Sequence, residues 1–245
     1  MPIENFHFFK DYLRYKDASK SEFRGCLFQN SDLNHMECLK SYYLDVIFEN
    51  CDLSNVDFSQ TLLRRATFKS CKLTGSNFSE CSFDQVLFEE CQMDYSNFSN
   101  TKSKGMIFNH CMLHDASFND CDLKKIEFFH CDLYHSEFIH TSLKNIDLRT
   151  CEIEGLLLGL RIQSTEELRS ITHTLNLIAR RDRDMHKLTV RILDISRQDI
   201  DTFCICLCQI NTIGNYHTCN TLTVASYSTA YALFSSRCRQ CAHTQ

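Results

Sequence analysis

With only six Gly and one Pro in 245 residues, the chain has no glycine-rich loop of the kind that cradles phosphates. Nothing in it resembles a nucleophile beside its base or a paired-carboxylate pocket. No apolar run is long enough to span a bilayer, and the N-terminus lacks the basic segment and apolar stretch of a signal peptide. These absences set the first expectations: no enzymatic activity, no cofactor, no membrane, and a soluble cytoplasmic protein.

What the chain has is a period of five. From Phe23 to Leu158 every fifth residue is in one frame, and of these 28 positions 13 are Phe and 10 are Leu, the others being Cys38, Tyr43, Met93, Ser103 and Ile153. Two residues before each stands a small, β-branched or sulfur-bearing residue, from Cys26 and Ser31 through Val46, Cys51 and Ala66 to Cys151. Two inward positions in five fit neither the 3.6 spacing of a helix nor the alternation of a strand. The chain therefore reads as a repeat protein. Sorted by twenty, the large residues fall into four columns. Phe48, Phe68, Phe88, Phe108 and Phe128 follow Phe28 in one, and Phe58, Phe78, Phe98, Phe118 and Phe138 make another. Leu33, Leu53, Leu73, Met93, Leu113, Leu133 and Ile153 make a third, and the less uniform fourth starts at Phe23 and Tyr43. Twenty residues per square turn stacks like on like and fills a narrow interior without voids.

Cys51-Asp52-Leu53, Val56-Asp57-Phe58, Ser76-Asn77-Phe78, Ser96-Asn97-Phe98, Cys121-Asp122-Leu123 and Cys131-Asp132-Leu133 carry a resemblance to the pentapeptide-repeat proteins, whose repeat reads roughly Ala-Asp/Asn-Leu-x-x. The resemblance covers about 140 residues and implies an all-β fold, a right-handed quadrilateral parallel β-helix, which agrees with the hand of parallel crossovers. At about 4.8 Å per layer, seven coils make a rod of roughly 34 Å. Its end coils need cover. Residues 1–20, with Phe6, Phe8, Phe9, Tyr12 and Leu13, are expected to form an amphipathic N-terminal cap. The β-helix is expected over 21–160, with short helical segments at the ends. In 161–201, Ser164-Thr165-Glu166-Glu167 reads as a helix start, with Leu168, Ile171, Leu175 and Ile178 on one face, a helix available as a homodimer contact. Residues 202–245, rich in Cys, Ser and Thr with no acid after Asp201, are expected as a poorly ordered tail.

Nine of the 16 Cys occupy the inward small position, and Cys51, Cys71, Cys91, Cys111, Cys131 and Cys151 recur on one wall. Parallel side chains on adjacent strands aim poorly for a disulfide, so these read as small hydrophobes. In the tail, only Cys238 and Cys241 have a familiar zinc-ligand spacing and no second pair accompanies them; no metal is expected. His110 and His130, with Glu90, would lie one coil apart on the outside, a stacking common on any solenoid. Leu27, Ile47, Leu87 and Ile107, interrupted by Thr67, would form an exposed apolar column, which reads as a contact surface.

Charge is uneven. Residues 21–158 carry 21 acids against 12 Lys and Arg, and many acids sit just before the large residue, where Asp and Asn also suit corner turns. The acidic partner-facing surface is expected to include Asp32, Asp52, Asp57, Asp122, Asp132, Glu137, Asp147 and Glu152. The resemblance extends to Qnr-type quinolone-resistance proteins, DNA mimics of bacterial topoisomerases, and implies DNA gyrase or topoisomerase IV as partners, with no direct nucleic-acid binding. The frame here never slips, whereas plasmid-type Qnr proteins break theirs with loops; only Cys38 to Tyr43 and Thr101-Lys102-Ser103-Lys104-Gly105 suggest distortion. The alternative reading is a scaffold or secreted effector that uses the same rod for protein contacts.

Overall fold

The computed structural model describes residues 2–143, 146–161, 189–194 and 222–224. The chain winds into a four-sided parallel solenoid, and the described residues contain no helix. Each side is one five-residue repeat. Walls A and B are centred on the columns of Leu53 and Phe58, and walls C and D on those of Tyr43 and Phe48. On wall C, β1 (Ile3–Glu4), β3 (Glu22–Arg24), β5 (Tyr42–Leu44), β7 (Leu62–Arg64) and β9 (Ser82–Asp84) stack in that order. On wall D the order is β2 (His7–Phe9), β4 (Leu27–Gln29), β6 (Ile47–Glu49), β8 (Thr67–Lys69) and β10 (Val86–Glu89). On these two walls the register is twenty: Phe28 pairs with Phe48, Phe48 with Phe68, Phe68 with Phe88 and Phe88 with Phe108. Walls A and B are joined by single-residue parallel bridges, such as Asp32 to Asp52 to Lys72 and Glu37 to Asp57 to Asn77.

The interior follows from the column chemistry. Phe48, Phe68, Phe88, Phe108 and Phe128 stack nearly parallel with ring centroids 4.8 to 5.1 Å apart. Phe58, Phe78, Phe98, Phe118 and Phe138 do the same from the opposite wall at 4.7 to 5.0 Å. The two stacks meet edge to face, as Phe58 meets Phe68 at 6.1 Å and 84° and Phe98 meets Phe108 at 5.6 Å and 90°. Both geometries suit the ring quadrupole and add about 0.5–1.5 kcal/mol per pair beyond area burial.

Where the inward small position holds Cys, Ser or Thr, its side chain commonly plays one role. The Cys51, Cys71, Cys91, Cys111 and Cys131 thiols each donate, at 3.4 Å, to the carbonyl oxygen 23 residues earlier. Ser76 donates to Leu53 O at 2.7 Å and Ser136 to Leu113 O at 2.6 Å in the same way. A small side chain with a donor therefore satisfies a buried carbonyl of the coil beneath, and all ten cysteines of the described solenoid are free and buried.

The corners demand a left-handed backbone. Nearly every fifth residue from Asn5 to His140 has φ between 49° and 60° or is Gly. Asn, Asp and His are over-represented there because they tolerate this region best among residues with a side chain. At Gly75, φ is 71°, beyond the 49–60° of the corners that carry a side chain, and an added Cβ would lie 2.6 Å from Asn55 Oδ1, so glycine is favoured and a larger residue would displace the Asn55 amide.

Both ends differ from expectation. Residues 3–20 are a further coil in the same frame rather than an amphipathic cap: β1 pairs with β3 and β2 with β4, and Phe8 stacks on Phe28 at 4.3 Å. The frame is masked there because its inward series, Ile3, Phe8, Leu13 and Ala18, mixes sizes and sits in an otherwise aromatic segment. At the other end the ladder runs on through β13 (Glu137–Ile139), β14 (Leu157–Arg161), β15 (Thr189–Asp194) and β16 (Leu222–Val224), all parallel. Strands therefore occur inside both the segment expected to be helical and the segment expected to be a loose tail. The proposed helix from Thr165 to Ala179 and the Cys238/Cys241 pair lie outside the described residues.

Candidate functional site: the charged walls

The acids expected to face a partner first serve the turns. Asp52, Asp57, Asp132 and Asp147 each accept, through Oδ1, the backbone N–H two residues ahead, at 3.0 to 3.1 Å; Asp32 does so at 3.2 Å. Asn77 and Asn97 make the same bond to Ser79 and Ser99. The turn therefore selects Asp or Asn alike, and the charge is additional. At Asp52, partial burial works against ionisation, but the Ser54 hydroxyl and amide, Lys72 and Asn34 together hold the carboxyl below its ordinary value.

The solenoid distributes these eight residues unevenly. Asp32, Asp52, Asp132 and Glu152 share one bridged column on wall A, but Lys72, Gln92 and Met112 separate them into two pairs. Asp57 and Glu137 lie in one column of wall B, separated by Asn77, Asn97 and Ser117. Asp122 is on wall C beside Lys102 in register, and Asp147 falls at a wall D position, where Arg149 bonds it at 2.6 Å. The eight do not form one face.

Counting by wall gives a sharper pattern than counting by chain. Over residues 21–158, walls A and B together carry 12 Asp and Glu against Lys40 and Lys72 alone. Wall C is the reverse: its described residues carry Arg24, Arg64, Arg65, Lys102, Lys104, Lys124 and Lys125 against Glu22, Asp45, Asp84 and Asp122. Those four acids are spent locally. Asp45 lies 2.6 Å from Arg65, Asp84 3.3 Å from Arg64, Asp122 3.0 Å from Lys124, and Glu22 pairs with Arg24. The regularity of the frame means that charge segregates onto whole walls.

Histidines temper the acidic side. His114 Nε2 lies 2.8 Å from Asp132 Oδ2, and its Nδ1 3.7 Å from Asp94 Oδ1. The Asp132 carboxylate, with Asp94 and Asp115 beyond it, raises the imidazole above its ordinary value despite partial burial. His140 Nδ1 sits 2.9 Å from Asp120 and His135 Nδ1 3.7 Å from Asp115. His114 went unnoticed in the sequence, although its place directly after the large residue Leu113, one rung above Asp94, was readable from the frame. His110 and His130 lie one coil apart with ring centroids at 4.9 Å and planes tilted by 30°. Glu90 is held by the Ser70 hydroxyl at 3.0 Å, and no group of three or more metal-ligating side chains occurs among the described residues.

The apolar column of wall D is continuous in register, Leu27 to Ile47 to Thr67 to Leu87 to Ile107. Of these only Ile47 is exposed, at 46%, the others being half-buried, so the strip is narrower than its sequence suggests.

Residues 43–113 match a family model described as a pentapeptide repeat region, and residues 111–149 match one described as pentapeptide repeats in eight copies. The solenoid is a pentapeptide-repeat domain. Its frame runs beyond the matched segment on both sides, back to Ile3 and on to Leu158. Full-length QnrB1, a plasmid-mediated fluoroquinolone resistance protein, is similar at 15% identity over 82% of this chain and 99% of its own, with a TM-score of 0.39. HetL, a pentapeptide repeat protein involved in heterocyst differentiation regulation in the cyanobacterium Nostoc sp. strain PCC 7120, is 16% identical over 66% of this chain and 81% of its own, with a TM-score of 0.28. No curated protein matches the chain. Identities and scores this low carry nothing about activity from those proteins to this pentapeptide-repeat chain.

Proposed function

We propose that this pentapeptide-repeat protein is a non-catalytic, cytoplasmic DNA mimic that binds a bacterial type II topoisomerase, gyrase or topoisomerase IV, and protects it from quinolones or toxins. The observation that carries the reading is the segregation of carboxylates onto walls A and B. Ten net negative charges on these two adjacent walls, spread over seven coils of about 4.8 Å, come to about one charge per 3.4 Å, the linear density of a single strand of B-DNA. A protein whose groove grips a phosphate backbone meets in this rod a comparable field on a stiff, narrow body, and such fields steer association. Binding needs no cofactor and no chemistry. The quinolone arm follows from the family resemblance of the repeat alone.

The test is a gyrase supercoiling assay with quinolone titration. Wild-type protein should restore supercoiling, and a variant carrying Asp52→Lys, Asp132→Lys and Glu152→Lys should not. The alternative, a scaffold or secreted effector making protein contacts through the same rod, gains support if no gyrase binding is found even at low salt.

A further inference from the structure

We propose that the rod associates sideways with a second copy of itself, wall C of one copy lying on wall A of the next. Opposite walls of a four-sided coil face in opposite directions, so a sideways translation with no rotation brings wall C of one rod against wall A of another. The two surfaces are complementary in charge. On wall C, Lys102, Lys104 and Lys125 have no carboxylate within 4.0 Å among the described residues, their neighbours Asp84 and Asp122 being paired to Arg64 and Lys124. On wall A, the same rungs present Asp115 and Asp132, whose near neighbours among the described residues are the imidazoles of His135 and His114 rather than any Lys or Arg, with Glu152 one rung beyond.

Two structural features favour this partner. First, Lys102 and Lys104 adjoin a corner whose backbone departs from the usual left-handed value. β11 (Lys102–Asn109) and β12 (Asp122–Phe129) run as continuous eight-residue strands across the corner between walls C and D, paired in register. At that corner Gly105 has φ 125° instead of the usual value near 55°, and the inward residue is Ser103, whose hydroxyl bonds Lys124 O at 3.0 Å. The distortion expected in the Thr101 to Gly105 sequence is thus an opened corner at Gly105 beside Lys102 and Lys104. Second, two copies share one rung spacing, so a contact made on one rung repeats on the next without slippage. The net negative charge of the rod does not forbid this, because at physiological salt the Debye length is about 8 Å, and charges on the far walls are largely screened at contact. A contact between different walls is heterologous and, being translational, does not close; association continues into rows. The inference stands whether or not a topoisomerase is the partner.

Sedimentation tests it with no partner present. Wild-type protein should show a weight-average mass that rises with concentration at physiological salt, where the far walls are screened and the contact is not, and returns to monomer at about 1 M salt, where the Debye length falls to about 3 Å. Two neutralised variants separate the walls: Lys102→Gln, Lys104→Gln, Lys124→Gln and Lys125→Gln on wall C, and Asp115→Asn, Asp132→Asn and Glu152→Gln on wall A. Asn preserves the turn at position 132, as Asn77 and Asn97 do at theirs. Each variant alone should stay monomeric. An equimolar mixture should give a dimer that grows no further, because each copy keeps one working wall. A mixture that remains monomeric, or a neutralised variant that associates as wild type does, overturns the proposal. So does a wild-type protein that stays monomeric at physiological salt but binds short duplex DNA through wall C, since that wall would then be a phosphate surface.

Discussion

Replacing Phe88 by Ala removes a ring from the centre of the interior. Phe88 is 0% exposed and lies between Phe68 at 4.8 Å and Phe108 at 4.9 Å, with Phe78 and Phe98 edge-on at 5.8 and 6.1 Å. Lost transfer free energy accounts for about 1.5–3 kcal/mol. The cavity adds roughly 24 cal/mol for each Å³ that the surroundings fail to close. Here closure is poor, because the backbone ladder fixes the rung spacing and the stacked rings cannot move together. The loss should therefore reach the upper part of the usual range for Phe to Ala, about 4–5 kcal/mol. Phe8→Ala in the first coil is the control: Phe8 is only half-buried and has a described ring neighbour stacked on one side only, so about 1–2 kcal/mol is expected by the same reasoning. Urea denaturation followed by far-UV circular dichroism measures both. Equal losses, or a Phe88→Ala loss below that of Phe8→Ala, would refute the picture of an axially stacked, ladder-constrained core.

Gly75→Ala should cost at least 1 kcal/mol, because it forces an L side chain to φ 71° against Asn55; a neutral result in the same denaturation assay would contradict the corner geometry. His114 has a raised pKa in the fold, so its stabilisation is complete below the unfolded value and disappears as pH rises through the folded one. His114→Gln should thus destabilise by a few tenths of a kcal/mol at pH 5 and by nothing at pH 9, and an equal effect at both would remove the Asp132 pairing from the account. Burial pushes the Cys38 and Cys81 thiols up to about 12; alkylation mapped by mass spectrometry should leave these two unmodified in native protein and label them after unfolding, whereas rapid native labelling would place them outside the interior.

The period of five announced the solenoid because it is a rule about volume: a ring such as Phe68 can be placed only on the axis, and its repetition every twenty residues fixes the register. The small inward position was legible for the same reason, and even the unbonded state of the Cys51 to Cys151 ladder followed from parallel geometry. What stayed hidden was anything set by contact between walls or rungs. Asp52 and Asp122 look alike in the sequence, yet one shares a bridged acidic column and the other lies among lysines. A charge count along the chain averages walls that the fold keeps apart, and the basic character of wall C disappeared in that average. The first coil escaped notice because Ile3, Leu13 and Ala18 lack the uniform bulk that marks the frame elsewhere, although the hydrogen-bond ladder does not need it.

The most direct test of the mimicry claim is the affinity of purified gyrase for the wild-type rod and for the Asp52→Lys, Asp132→Lys, Glu152→Lys variant, each measured at low and at high salt. The account predicts tight wild-type binding at low salt that weakens steeply as salt is added, and at least a hundredfold loss in the variant, equivalent to about 2.7 kcal/mol. Wild-type affinity that ignores salt, or a variant that binds as well as wild type, would contradict it.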